Sequence, residues 1–373
     1  MSEVNTAHLI DPEPDPESDG LAPVAAATRA NNADLITQIK ESADKLAHDQ
    51  TTRGDLKILS RTLRELRYAF KVFRPYRSKR KVTMFGSART PSGHPYYDQA
   101  VEFGRAMAEL GWLIVTGASS GIMEAGHVGA GRESSMGINI MLPFEQGSNA
   151  IIAGDPKLVH MKYFFTRKLM FVKECDALCL CPGGFGTLDE ATEVLTLLQT
   201  GKRDLVPVVF LDSPGGDFWD LFQKFIQDRL LARGMISPED QSLYLMTDSL
   251  QAAVQEIVGF YRIYHSMRYV RDELVFRLTQ KPSAELVERI NENFADVLAA
   301  GKFIASEALR EEQDEPALIA LPRLVFHFDR RSLGRLRQLV DFINRESPAT
   351  PPLPGVGANH QPILKPPAQN NRR

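Results

Sequence analysis

The chain has 373 residues, enough for a full core in one main domain with additions, and a net charge of −3 that argues against a nucleic-acid binder. Its N-terminus is acidic and proline-bearing (Asp11-Pro12-Glu13-Pro14-Asp15-Pro16), where a signal peptide needs a basic start and an apolar centre. No apolar run approaches the roughly 18 residues of a membrane span, so the expectation is a cytoplasmic protein that binds neither nucleic acid nor membrane.

Residues 1–30, rich in Pro, Asp, Glu and Ala without periodicity, are expected to form a disordered tail. From 31 to 75 apolar residues recur at helical spacing (Leu35, Ile36, Ile39, then Leu56, Leu59, Leu63, Leu66, Phe70), which predicts two helices. The basic run from Lys71 to Lys81 reads as a solvated helix end before a strand. Between 80 and 265 short apolar runs alternate with helical segments: Val82–Phe85, Leu113–Val115, Ile138–Leu142, Ala177–Leu180 and Val206–Leu211. Such alternation predicts an α/β fold, a Rossmann-like doubly wound parallel sheet whose ligands sit beyond the carboxyl ends of the strands. Glycine turns at 86, 117 and 183 fall at such ends. A small α+β module is expected over 268–346, with Tyr269–Leu278 and Leu321–Phe328 strand-like and Ala284–Leu298 and Leu333–Ile343 helical. Residues 347–373, with seven prolines, read as a second disordered tail.

The most informative stretch is Pro182-Gly183-Gly184-Phe185-Gly186-Thr187-Leu188-Asp189-Glu190, between a short apolar run and the helix-patterned Ala191–Gln199. Its glycines let the backbone turn tightly and approach a ligand, and the first N–H groups of a helix have no internal partner. Gly183, Gly184, Gly186 and Thr187 are thus candidates to hold a phosphate, with Glu190 about one turn inside the helix, beside whatever the phosphate carries. A phosphate anchor with one carboxylate suggests chemistry on a sugar phosphate.

Two other patterns point elsewhere. Thr116-Gly117-Ala118-Ser119-Ser120-Gly121-Ile122 approaches the TGxxxGxG cofactor turn of short-chain dehydrogenases, but Met123 replaces the last glycine. The turn also follows a second strand candidate rather than the first, and no tyrosine has a lysine four residues later. Cys175, Cys179 and Cys181 read as small buried hydrophobes, and the eight histidines have no HxH or HxxxH spacing, so no metal site is expected.

The nine-residue stretch resembles the PGGxGTxxE signature of the LOG family, the cytokinin riboside 5'-monophosphate phosphoribohydrolases and related nucleotide nucleosidases, formerly called lysine decarboxylase-like. Four further elements are similar, in the same order: Phe85-Gly86-Ser87-Ala88, the GIMEA turn at Gly121-Ile122-Met123-Glu124-Ala125 with Gly129-Ala130, Leu142-Pro143-Phe144-Glu145-Gln146, and Phe164-Phe165-Thr166-Arg167-Lys168. The likeness covers roughly 80–235 and is to the longer members. It implies hydrolysis of the N-glycosidic bond of a nucleoside 5'-monophosphate to free base and ribose 5-phosphate, with AMP as the default substrate, no cofactor, and a homodimer or a multiple of one. It also implies that Arg167 shares the site with Glu190 as a catalytic pair. Gly86, Ser87, Gly117, Gly121, Glu124, Lys168, Phe185 and Thr196 join the four anchor residues as expected substrate contacts, and Glu193 borders the same face. For the C-terminal module the resemblance suggests regulation or oligomer contacts. Alternatives left open are an N6-modified adenine nucleotide, a broad purine and pyrimidine monophosphate nucleosidase, and a nucleotide sensor without turnover. Decarboxylation of lysine would need a pyridoxal phosphate lysine with its anchors, and the sequence suggests none.

Overall fold

A computed structural model describes residues 32–141 and 147–348. The expected N-terminal tail, the C-terminal tail from residue 349 and the family-like segment Leu142–Gln146 lie outside the described residues, whereas Ser347, at the expected start of that tail, is buried. The chain divides into two compact units, one ending at Arg64 and the other beginning at Glu65. In the first, helix α1 (Ala33–His48) buries no residue. Helix α2 (Arg53–Phe73) runs on into the second unit, where Ala69 and Phe73 are buried in the core.

The second unit is built on a seven-stranded, wholly parallel sheet of β1 (Lys81–Phe85), β2 (Leu113–Thr116), β3 (Ser135–Ile140), β4 (Leu158–Met161), β5 (Ala177–Leu180), β6 (Val208–Leu211) and β7 (Leu245–Thr247). Five of these are fully buried, which is why they read as short, mainly apolar runs. The spatial order is β4-β3-β2-β1-β5-β6-β7. Chain direction across the sheet therefore reverses between β1 and β5, which pair from Val82 with Ala177 to Phe85 with Leu180. That is the topological switch point, where an open α/β sheet leaves a crevice at its carboxyl edge.

Two of the connecting helices start on a side-chain cap. In α3 (Pro95–Glu109) Pro occupies the first helical position and His94 accepts from the Tyr96 N–H. Helix α4 (Ile122–Ala130) follows Gly121, and α5 (Phe164–Glu174), α6 (Phe185–Gln199) and α7 (Phe218–Phe225) come next. Ser249 caps α8 (Leu250–Phe260) by accepting from the Ala252 N–H. Helices α3 and α4 touch backbone to backbone: a Cβ on Gly129 would lie 1.9 Å from the Val101 carbonyl oxygen. The glycine of the GIMEA-like turn region at 129 thus serves helix packing rather than a ligand.

A second sheet is antiparallel, in the order β10-β11-β9-β8. Its strands are β8 (Tyr264–Val270), β9 (Glu273–Leu278), β10 (Leu298–Ser306) and β11 (Arg323–Phe328), with helices α9 (Ala284–Asn293) and α10 (Leu333–Glu346). The single strand expected over Tyr269–Leu278 is instead a hairpin of β8 and β9, turning at Arg271, whose φ is +56°. The helix expected to reach Leu298 ends at Asn293, and β10 was not foreseen. No helix among the described residues is long and apolar enough to cross a membrane.

Candidate functional site

The switch-point crevice is a cavity of about 710 Å³. Its walls come from the loop after β1 (Gly86, Ser87, Arg89), the turn after β2 (Gly117, Ser119), Met123 of α4, Phe164 and Arg167 of α5, and the first six residues of α6 with Gly184. The loops after β1 and β5 are tied together, since the Ser87 N–H donates to the Pro182 carbonyl at 3.1 Å. Gly121 is held at φ +67°, and a Cβ there would sit 2.3 Å from the Ser87 carbonyl oxygen. Only glycine therefore lets the β2 turn lie under the β1 loop.

Of the expected contacts, Gly86, Ser87, Gly117, Arg167, Gly184, Phe185, Gly186, Thr187 and Glu190 line this one cavity. Gly121 supports its floor through Ser87 without lining it. Gly183 lines a neighbouring depression with Ser87, Arg89 and His94. Lys168 and Thr196 line a third, on the outer side of α6, where the Lys168 ammonium pairs with Asp189 at 2.9 Å and Glu193 at 2.8 Å. Glu124 lines none of the three. Gly184 has φ −88°, open to any residue, and nothing lies within 4 Å of a Cβ built on it or on Gly186. These two glycines keep space clear for a ligand rather than permitting a backbone conformation closed to other residues.

Glu190 is 8% exposed. Burial pushes its carboxyl up to about 7, against the pull of Lys168 and Arg167 and with help from Glu193 and Asp189. Its Oε2 accepts no hydrogen bond from the described residues. A glutamate half-ionised near neutrality, with an oxygen still available and a guanidinium nearby, is equipped to exchange a proton or to face a developing positive charge. The Arg167 guanidinium stacks over Phe171, 5.2 Å from the ring centroid, and a Cβ on Gly117 would lie 2.6 Å from its Nη2. Gly117 thereby leaves room for Arg167 to enter the cavity.

Sequence reasoning missed the support of the β2 turn. Ala118 has φ +60°, rare for a residue with a side chain. The Asn149 N–H donates to the Ala118 carbonyl at 2.8 Å and its Nδ2 donates to the Ser119 carbonyl at 3.1 Å. Asn149 in turn meets fully buried His127, which also lies 3.0 Å from the Met136 carbonyl and 3.1 Å from Thr116 Oγ1. Burial holds the imidazole neutral, with its pKa lowered to about 4 against the hydrogen bonds to Met136 and Asn149. Arg89, a cation on the rim, was also missed, although its place two residues after Ser87 was a signal to read.

These loops, in this order around the crevice, can be set against known proteins. A family model described as possible lysine decarboxylase matches residues 115–257. Cytokinin riboside 5'-monophosphate phosphoribohydrolase LOG3 of Arabidopsis thaliana is 27% identical over 183 residues, covering 48% of this chain and 81% of that protein. The core is similar to the LOG family. A second LOG relative, cytokinin riboside 5'-monophosphate phosphoribohydrolase LOG of Oryza sativa subsp. japonica, is 29% identical over 169 residues, covering 43% of this chain and 66% of that protein. Among solved structures, the molybdenum cofactor binding protein of Rippkaea orientalis is similar over 48% of this chain and 96% of that one, at 18% identity and a TM-score of 0.35.

Proposed function

We propose that the switch-point cavity binds a nucleoside 5'-monophosphate, AMP by default, and that the protein hydrolyses its N-glycosidic bond. The observation that carries this reading is the buried, partly uncompensated carboxylate of Glu190, one turn inside a helix whose N-terminus opens on the cavity. The 5'-phosphate sits against the first N–H groups of α6 at Gly184–Thr187, with Ser87 and Arg89 opposite. Ribose then lies beside Glu190 and Arg167, with the base toward Met123, Ile140 and Phe164. As the C1'–N bond breaks, positive charge develops on the ribose ring and faces the Glu190 carboxylate. Water adds its oxygen to C1', gives one proton to Glu190, and that proton passes to the departing base. The products are free base and ribose 5-phosphate. Similarity of the core to two plant phosphoribohydrolases supports the reaction class. Lysine is absent from the described lining of the cavity, which weighs against the decarboxylase in the family description.

The test is a panel of AMP, GMP, IMP, CMP, UMP and N6-isopentenyl-AMP with purified protein, reading free base by chromatography. Release from AMP at the highest kcat/KM is expected. Preference for the isopentenyl nucleotide would move the substrate assignment, and binding without release from any of the six would make the protein a sensor. Because Glu190 must be ionised to act, kcat/KM should rise with pH up to about 7 and level off above it.

We extend the proposal to a homodimer acting in the cytoplasm. Phe164, which lines the cavity, and Phe165 and Leu169 further along α5 are large apolar side chains that stand about half exposed. Val194 and Leu198 of α6 are buried and Leu195 and Leu197 half-buried, so α5 offers the larger apolar face. Leu169→Glu should shift sedimentation toward the monomer and lower base release together; a fully active monomeric parent would remove the dimer from the proposal.

A further inference from the structure

The opposite, amino edge of the parallel sheet carries a second cavity, of about 410 Å³. Arg80 enters it from the start of β1, Lys173 from the end of α5, Lys202 and Arg203 from the loop after α6, and His265 from β8 of the antiparallel sheet. The loop is built to present its two cations. Gly201 closes α6 at φ +65° with its N–H on the Leu198 carbonyl at 3.1 Å, and the Lys202 N–H returns to the Leu197 carbonyl at 2.9 Å. Other charges at this edge are already matched: Arg80 with Asp176 at 2.8 Å, and Lys173 with Glu174 at 2.5 Å. Lys202 and Arg203 have no carboxylate within ion-pair distance among the described residues. One fork of Arg203 donates to the Cys175 carbonyl, while its Nε is buried and makes no hydrogen bond among the described residues. A buried guanidinium N–H left unmade costs more than a made one contributes, which calls for an acceptor. Two carboxylates also line it, Asp176, paired with Arg80, and Asp204, and the cations outnumber them. The Tyr261 ring is covered by the Arg80 guanidinium at 3.8 Å, so that face is closed to a nucleobase.

We propose that this cavity is a second binding site, for a small phosphate-bearing anion held by the Arg203 guanidinium and the Lys202 ammonium and recognised through its phosphate. A forked donor beside a point charge suits a tetrahedral oxyanion, and the volume lies within the range of small-molecule sites. The ligand would rest between the parallel core and β8, at the far end of the helix that carries Glu190.

Inorganic pyrophosphate is the probe, titrated into the full chain by calorimetry and followed as a rise in thermal midpoint. Three variants are compared with the parent: Lys202→Gln with Arg203→Gln, Lys202→Glu alone, and Gly184→Val at the other cavity. Loss of charge-assisted hydrogen bonds should weaken pyrophosphate at this site at least about tenfold in the first two, with AMP affinity unchanged. Gly184→Val should lose AMP affinity and keep this pyrophosphate event. Lys202 is exposed, so its charge reversal leaves folding intact and decides the matter if the double variant does not fold. Unchanged pyrophosphate binding in Lys202→Glu, or its complete loss in Gly184→Val, overturns the proposal.

Discussion

Two buried glutamates in this molecule are handled in opposite ways. Glu312, between β10 and β11, is 0% exposed and accepts from Arg277 Nε and Arg323 Nε, each at 2.9 Å, and from the Leu309 N–H at 3.1 Å. Burial alone would raise its pKa, but those hydrogen bonds from Arg323, Leu309 and Arg277 more than reverse it and hold the carboxyl low. Glu190 is nearly as buried, yet one oxygen has no partner among the described residues and its pKa rises to about 7. Saturated bonding makes a carboxylate part of the framework. Unsaturated bonding leaves it free to do chemistry, at a cost to the fold.

The contrast is broken most severely from the framework side. Glu312→Ala strips two buried guanidinium groups of their shared partner and should cost about 3–5 kcal/mol in denaturant unfolding. Base release per folded molecule should not change; if it falls as far as stability does, the two regions are not independent. Glu190→Gln should do the reverse, lowering base release at least about a hundredfold, or roughly 2.7 kcal/mol on the barrier, while nucleotide binding stays within a few-fold. Near-normal turnover would remove Glu190 from the mechanism.

The same variant sharpens the comparison through pH. A carboxyl whose folded pKa is raised binds more protons folded than unfolded between about 4.5 and 7, so the fold loses stability as pH rises through that window. Glu190→Gln should therefore be more stable than the parent at pH 8, by on the order of 2–3 kcal/mol, with no gain at pH 4. Glu312 has the opposite sign, its contribution fading only as pH falls toward its lowered pKa. A thermal midpoint of Glu190→Gln below the parent at pH 8 would contradict the assigned burial cost. The smallest effect is expected for Gly117→Ala, whose Cβ would displace Arg167 Nη2 and Met123 Sδ, both ends of flexible side chains. Base release should fall about tenfold, the scale of one displaced charged contact, with little change in thermal midpoint.

What the sequence disclosed divides along similar physical lines. The buried parallel strands and the Pro182–Glu190 turn could be read because burial on both faces and helix-start chemistry impose local residue rules. Strands β4 and β7 escaped because each is a short edge element, of four and three residues. β10 carries Ala299, Ala300 and Gly301 with an exposed face and a broken register, so no alternation marks it. The β8–β9 turn uses Arg271 rather than glycine or asparagine at its positive φ. At the candidate site, residues inside the motif could be named from spacing, whereas His127 and Asn149 act through folded contacts 22 residues apart that no local rule encodes.

That His127–Asn149 support gives the protein a floor to its working range. The buried imidazole titrates at about 4 when folded and near 6.5 when released, so the folded form holds fewer protons across that interval. Each step of acidification below neutrality then weakens the anchor of the Ala118 turn, by about 3 kcal/mol in all. Acid would unhook one wall of the cavity while the seven parallel strands still stand, so the molecule would lose its shape for substrate before it loses its fold.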